Sequence, residues 1–183
     1  MTAKNKSKKQ TALTITVILA VIVFYGLTFA LWGMTLGSLP TLIIGSLFLA
    51  ALSGLPLFNK WSVITGTKRL PVNIACHLVA ATGLFMSLLL GINFWGRNVA
   101  ETKTERISIT NVYSEERHRS RRVGRRYITN GEAYKVYYID VDLPGGYSKS
   151  MQVSPSKFRN YHKGDSVTVK LTPGALGMTI VGR

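Results

Sequence analysis

The sequence predicts a membrane protein in two parts, with three transmembrane helices followed by a small all-β domain. Two long runs, residues 10–59 and 70–96, contain no Asp, Glu, Lys or Arg. The first acidic residue is Glu101, and short alternating apolar patterns typical of strands appear only after it. A soluble core rarely uses uncharged runs of that length, because most of its helices need one wet face.

The uncharged runs are long enough for three membrane crossings. A bilayer core about 30 Å thick requires roughly 20 apolar residues per helix. We predict helices over residues 12–37, 39–58 and 71–95, which together form a transmembrane region, residues 12–96. Gly37-Ser38-Leu39-Pro40 separates the first two helices, and Pro71 suits the first turn of the third. A cleaved signal peptide is disfavoured, because its apolar run would span only roughly 7–15 residues.

The charges beside the helices predict their orientation. Residues 1–11 are basic, and the connection between the second and third helices contains Lys60, Lys68 and Arg69 but no acid. Short basic loops remain in the cytoplasm, whereas long domains cross largely regardless of charge. We therefore expect an inner-membrane protein with a cytoplasmic N-terminus and an extracytoplasmic C-terminal domain, residues 97–183.

The C-terminal domain has the pattern of a small β fold. Tyr134–Leu143 is its clearest strand, because apolar and polar side chains alternate along it. Asn130-Gly131 and Pro144-Gly145-Gly146 are turn signals, and Ser154-Pro155 is typical of a helix start. Further alternating segments begin near residues 107, 147, 167 and 178. About five antiparallel strands and one short helix predict a half-open barrel of OB-like or SH3-like type.

A run of basic residues is the most unusual feature of this domain. Its six arginines are Arg117, Arg119, Arg121, Arg122, Arg125 and Arg126. Guanidinium groups suit phosphates and carboxylates, so we expect an exposed loop that binds an anionic lipid, a glycan or an envelope protein. The alternative is a solvated hairpin tip partly balanced by Glu115 and Glu116. Seven tyrosines and Phe158 of this domain could offer a stacking platform, but half-buried sheet packing and the extracytoplasmic location disfavour nucleic acid as the partner.

Two features within the predicted helices bear on function. His77 is an ionisable group in the third helix, which makes it a candidate for a functional role. The alternative is a neutral imidazole that hydrogen-bonds another helix. Gly33 and Gly37 form a GxxxG spacing, which predicts close helix packing and is compatible with a homo-oligomer in the bilayer.

The sequence carries no pattern typical of catalysis or metal binding. Asp140 and Asp142 share one strand face, and charge pairing with arginines explains them better than acid–base chemistry. The histidines lack metal-ligand spacing, and Cys76 is the single cysteine. No nucleophile elbow, P-loop or zinc-protease motif is present in the sequence. We therefore predict a protein that is not an enzyme and needs no cofactor or metal.

The layout of the chain resembles small bacterial membrane proteins with a β-rich tail domain of unknown function. An apolar helical region, an arginine-rich segment and the turn-strand pattern Gly164–Leu171 follow in that order. The resemblance implies an envelope location and a fold, without a chemistry. The expectation is a non-catalytic interaction or accessory module. The alternatives are a cytoplasmic-facing adaptor for anionic lipid or nucleic acid, and a small channel or transporter subunit.

Overall fold

The computed structural model describes residues 3–123 and 127–182, and it divides into two compact units. The first unit comprises Met1–Thr102 together with Leu171–Gly182, and the second comprises Lys103–Lys170. The coarse prediction of apolar helices plus antiparallel β structure is confirmed. The predicted boundary at residue 97 differs, because the end of the C-terminal domain belongs to the helical unit.

The first unit is built mainly from apolar helices. These are α1 (Ala3–Trp32), α2 (Leu39–Gly54), α3 (Ser62–Thr65) and α4 (Leu70–Trp95). Two segments are long and apolar enough to cross a membrane, Gln10–Trp32 and Leu70–Trp95. Ser38 caps α2 by accepting a hydrogen bond from the amide of Thr41 at 3.4 Å, and Pro71 lies in the first turn of α4 as predicted.

The predicted second helix, residues 39–58, is wrong as a continuous span. Helix α2 ends at Gly54, and a 3₁₀ turn over Phe58–Trp61 leads into α3. The segment Phe58–Thr65 is bent by 86° from the axis of α2. Pro56 lies in the break, where it has no amide hydrogen to donate to an α-helical ladder. A third crossing therefore exists only if the two bent pieces cross together.

The predicted end of the first helix at Gly37 is also wrong. Helix α1 ends at Trp32, and Thr35–Leu36 forms the short strand β1. Strand β1 pairs antiparallel with β6 (Thr179–Gly182), with Thr35 opposite Ile180. The sequence around Gly33 favours a helix locally, but pairing with a strand distant in the sequence ends it.

Helix α4 turns its polar face inward and its apolar face outward. Asn73, His77 and Asn93 are each at most 4% exposed, whereas Ile92 is 53% exposed. A soluble helix has the reverse arrangement, since water covers its polar face. Helices in lipid bury small and polar side chains against one another, which is the pattern of α4. Gly83 illustrates the packing, because the ring of Tyr25 on α1 occupies the space where a Cβ would stand.

The second unit is an antiparallel sheet in the order β5-β2-β3-β4. The strands are β2 (Lys103–Val123), β3 (Tyr127–Leu143), β4 (Tyr147–Val153) and β5 (Ser166–Pro173), and β5 continues into the first unit. Strand β3 shows the predicted alternation, with Ile139, Val141 and Leu143 buried on one face.

The connections of the sheet follow their turn residues. Leu143 pairs with Tyr147 across Pro144-Gly145-Gly146, where both glycines have positive φ. Gly164, with φ of +95°, accompanies a bulge in which Ile109 donates to Asp165 and accepts from Gly164. The predicted helix start is confirmed, because Ser154 caps the short helix α5 (Pro155–Phe158). The ring of Phe158 lies 4.6 Å from that of Tyr137.

Candidate functional site: a basic two-stranded hairpin

The arginine-rich run lies mostly within a strand, and the prediction of a loop is corrected. Strand β2 continues through Val123, and β3 begins at Tyr127. Strand β4 accompanies β3 only from Leu143 to Tyr137, which pairs with Val153. We call the paired segments beyond this point, Glu115–Val123 and Tyr127–Val136, the basic hairpin. At a rise of roughly 3.3 Å per residue, it extends for about 30 Å.

The predicted turn at Asn130-Gly131 is not the hairpin tip. Asn130 lies within β3 opposite Ser120, and His118 lies opposite Ala133. The pairing register shifts between these two pairs, where Arg119 faces Gly131 and Glu132 as a bulge. The Asn130-Gly131 turn signal therefore coincides with a β-bulge inside a longer hairpin. Residues 124–126, which follow Val123 in the sequence, lie outside the described residues.

One face of the basic hairpin, together with the adjoining residues of β2 and β3, joins tyrosine rings to arginines. Tyr113 and Tyr138 stack with ring centroids 5.4 Å apart. The guanidinium carbon of Arg117 lies 5.7 Å from the centroid of Tyr138, and that of Arg119 lies 5.8 Å from the centroid of Tyr134. Residues two apart in a strand share a face, which explains why β2 delivers these side chains together. Each cation–π contact at an exposed site contributes roughly 0.5–1 kcal/mol.

Arg117 is held in place without losing its exposure. Its Nη2 donates to Oε2 of Glu115 at 3.0 Å, and about half of the side chain remains exposed. This hydrogen bond raises the pKa of Arg117 above its usual value, and Tyr138 raises it further. The group is therefore cationic at any physiological pH. A surface ion pair of this kind contributes little stability, so the contact mainly orients the guanidinium group.

The other predicted arginines are placed unequally. Arg121 and Arg122 lie in β2 opposite Thr129 and Ile128. Arg125 and Arg126 lie outside the described residues. On the hairpin's described surface, only Glu115, Glu116 and Glu132 oppose the positive charge of the run. An exposed, cationic face with aromatic supports can hold phosphate, carboxylate or sulfate groups by bidentate hydrogen bonds.

Asp140, which was predicted to pair with arginines, has other hydrogen-bond partners. Asp140 accepts from Ser150 Oγ at 2.6 Å and from Asn111 Nδ2 at 3.4 Å. Tyr113 donates to the same serine at 3.4 Å, which links this polar cluster to the tyrosine stack. Within residues 3–123 and 127–182, no three His, Cys, Asp or Glu side chains lie close enough together to hold a metal ion.

His77 lies buried at the break after α2, and both of its ring nitrogens have partners. Trp61 Nε1 donates to Nδ1 at 2.8 Å. An indole nitrogen can only donate, so Nδ1 carries no proton. The proton is then on Nε2, which lies 3.1 Å from the carbonyl oxygen of Ala50 and 3.2 Å from Ser53 Oγ. The imidazole is thus a neutral bridge between α4, α2 and the 3₁₀ turn.

The surroundings of His77 reinforce this bridge. The rings of Phe58 and Trp61 meet it edge-on, with centroids 5.4 Å and 5.7 Å away. Gly54 has no room for a Cβ, because the ring of Phe58 fills the space and His77 Cδ2 would lie only 2.9 Å away. The geometry therefore matches the interhelical hydrogen-bonding alternative for His77.

The GxxxG residues do not share a helix face. Gly33 follows the end of α1, and Gly37 lies after β1, where Met178 packs against it. Asn93 of α4 holds the C-terminal segment by two side-chain hydrogen bonds. Its Nδ2 donates to the carbonyl oxygen of Met178 at 2.9 Å, and its Oδ1 accepts from the amide of Leu176 at 3.0 Å.

Comparisons with known proteins add no evidence about function, so any functional proposal rests on the residues themselves. No protein-family model, no curated protein and no solved structure matches the chain. The resemblance to small bacterial membrane proteins therefore stays a prediction.

Proposed function

We propose that this protein is a non-catalytic interaction module, anchored in the inner membrane, whose basic hairpin binds an anionic surface or partner outside the cytoplasm. The exposed arginine–tyrosine face of the hairpin carries this proposal. Arg117 and Arg119 are oriented by Tyr138 and Tyr134, so less side-chain entropy is lost on binding than for free surface cations.

The anchor is supported by the apolar segments Gln10–Trp32 and Leu70–Trp95 and by the inside-out pattern of α4. The proposed topology has a cytoplasmic N-terminus and counts the bent α2–α3 segment as the middle crossing of three. We also propose that the strands form a half-open barrel of OB-like or SH3-like type. The ligand class is polyanionic: a glycan, a lipid headgroup layer or an acidic envelope protein.

A second candidate function follows from the shape of the hairpin. A two-stranded β-ribbon fits the major groove of DNA, and its arginines suit phosphates. This function requires the second unit to face the cytoplasm. The channel-subunit alternative gains no support from His77, because both of its ring nitrogens already have partners within the protein.

The experiment compares two variants that lose the same charge. Full-length protein in neutral detergent is loaded on an immobilised sulfated polysaccharide and eluted with a salt gradient. We expect Arg117→Gln/Arg119→Gln to elute at clearly lower salt than the parent, because oriented guanidinium groups are removed. Arg159→Gln/Lys163→Gln removes two exposed cations away from the hairpin and is the matched control. Equal elution of the two double variants would mean that general charge, and not the hairpin face, causes retention.

A further inference from the structure

We propose that the helical unit binds one anionic phospholipid, with an acyl chain in a groove between α1, α3 and α4 and the headgroup at a basic rim. The groove has a volume of about 470 Å³. Its walls include Val17 and Val21 of α1, Ile64 of α3, and Cys76, Val79 and Ala80 of α4. The inference is independent of the basic hairpin, whose residues belong to the other unit.

The groove exists because the chain bends after α2. The 86° bend takes α3 away from the axis of α2 and brings it beside the start of α1. There Thr14 Oγ1 donates to the carbonyl oxygen of Ile64 at 3.0 Å, which fastens α3 to α1. Trp61, held by His77, lines the same groove. The groove is therefore bounded by hydrogen-bonded elements and is not a transient gap between smooth helices.

Basic residues converge at one end of the groove. Gln10 Nε2 lies 3.4 Å from the position of a Cβ on Gly66, so the start of α1 meets the loop between α3 and α4. That loop continues into Lys68 and Arg69, which are exposed. Lys60, which is also exposed, directly precedes Trp61 of the groove wall. No acidic residue precedes Glu101 to balance these charges.

This combination of chemistry fits an anionic phospholipid. The apolar walls have almost no hydrogen-bonding groups to orient a polar solute, but they match an acyl chain. Cations at the mouth attract a phosphate, at a membrane depth where each basic residue strengthens binding. A second copy of this chain is a poorer occupant, because its own basic rim would approach this one and like charges repel.

Native mass spectrometry of the full chain in neutral detergent tests the headgroup. Phosphatidylglycerol and phosphatidylcholine with identical acyl chains are titrated separately. We expect a single tight adduct for phosphatidylglycerol and a much weaker one for phosphatidylcholine. Lys60→Gln/Lys68→Gln/Arg69→Gln should weaken the phosphatidylglycerol adduct roughly a hundredfold, if each cation contributes as basic residues do at anionic membranes. These side chains are exposed, so the variant keeps the fold.

The acyl chain is tested by filling the groove. Ala80→Phe should abolish the adduct, whereas Ala51→Phe, the same addition at an exposed position of α2, should leave it intact. Excess glycerol phosphate should not compete. Equal affinity for the two lipids, competition by glycerol phosphate, or an adduct that survives Ala80→Phe in folded protein would each overturn the proposal. Loss of the adduct in Arg117→Gln/Arg119→Gln, but not in the rim variant, would assign lipid binding to the hairpin instead.

Discussion

The hydrogen bonds of His77 show how one donor-only neighbour assigns the tautomer of a buried histidine. The sequence left a functional ionisable group and a neutral interhelical bridge as alternatives. Trp61 can only donate, so its bond to Nδ1 assigns the proton to Nε2, beside Ala50 and Ser53. The sequence could not predict this, because Trp61 reaches His77 only through the bend after α2.

Replacing His77 by Ala should destabilise the helical unit. The change leaves the Trp61 indole without its acceptor, at a cost of about 1–3 kcal/mol for an unsatisfied polar group. The Ala50 carbonyl keeps the hydrogen bond that Ser53 Oγ donates at 3.0 Å. Thermal unfolding in detergent measures the effect. Cys76→Ala, at the neighbouring position on the groove side of α4, is the control and should change stability little. Unchanged stability of His77→Ala, together with loss of an ion flux, would favour the channel alternative.

Asn93 is a second residue whose role depends on a distant part of the chain. This asparagine is buried in an apolar helix, and it holds the backbone of Leu176 and Met178. Its carboxamide also fills the space beside Gly174, where a side chain would not fit. The chemical requirement, a partner for a buried amide, was visible in the sequence, whereas the identity of the partner was not.

At the scale of elements, the helix bounds were predictable where a local signal ends the helix. Helix α4 begins and ends within one residue of the prediction, because Pro71 and Gly96 mark its ends. Helix α2 stopped short of the predicted Phe58, since apolar composition continues through the break and conceals it. Composition indicates that a segment is apolar enough for a bilayer, but it does not indicate where the chain changes direction.

Two glycines of α2 provide a test of the bend. Gly54→Ala should destabilise the protein by about 1–3 kcal/mol, because a new methyl group would overlap the ring of Phe58 and crowd His77. Gly45→Ala in the same helix meets nothing within 4 Å, so it should be neutral or slightly stabilising. Thermal unfolding of the two variants gives the comparison. If both behave alike, the tight approach of α2 to Phe58 is not what holds the bend.

The basic hairpin was missed as an element for a physical reason. Apolar alternation marks a strand only when one of its faces is buried. From Glu115 onwards, the described side chains of β2 up to Ser120 are all exposed, so no such period is present. The charged run was therefore interpreted as a loop, and Asn130-Gly131 as its turn. The identity of the arginines as the candidate binding surface was nevertheless available from the sequence, because it depends on composition alone.

At the scale of the whole molecule, the division into helical and β parts was predictable, and the assignment of Leu171–Gly182 was not. The alternating pattern of Val167, Val169 and Leu171 correctly predicted strand β5. Nothing local indicates that β6 would pair with a two-residue strand between α1 and α2. Such pairing joins segments far apart in the sequence by hydrogen bonds, and a local sequence pattern cannot predict which distant segment a strand will pair with.

Sidedness is the prediction that belongs to the whole chain. A C-terminal fusion to a reporter active only outside the cytoplasm should be active, and a fusion to one fluorescent only inside should be dark. The reason is the basic connection that contains Lys60, Lys68 and Arg69, which favours the cytoplasmic side. A control replaces these three residues with Gln and should give mixed orientation. The opposite reporter pattern would make the cytoplasmic adaptor the better proposal.

The pairing of β1 with β6 also orders the events of biosynthesis. Thr35 leaves the ribosome well before Ile180, and the whole second unit is translated between them. At roughly 5–20 residues per second, β1 waits several seconds or more for its partner. The helical unit therefore has one edge unpaired until the second unit has been translated. A chaperone or insertase that shields this edge would act in that interval, and a nascent chain stalled before Thr179 should be selectively sensitive to protease near Thr35.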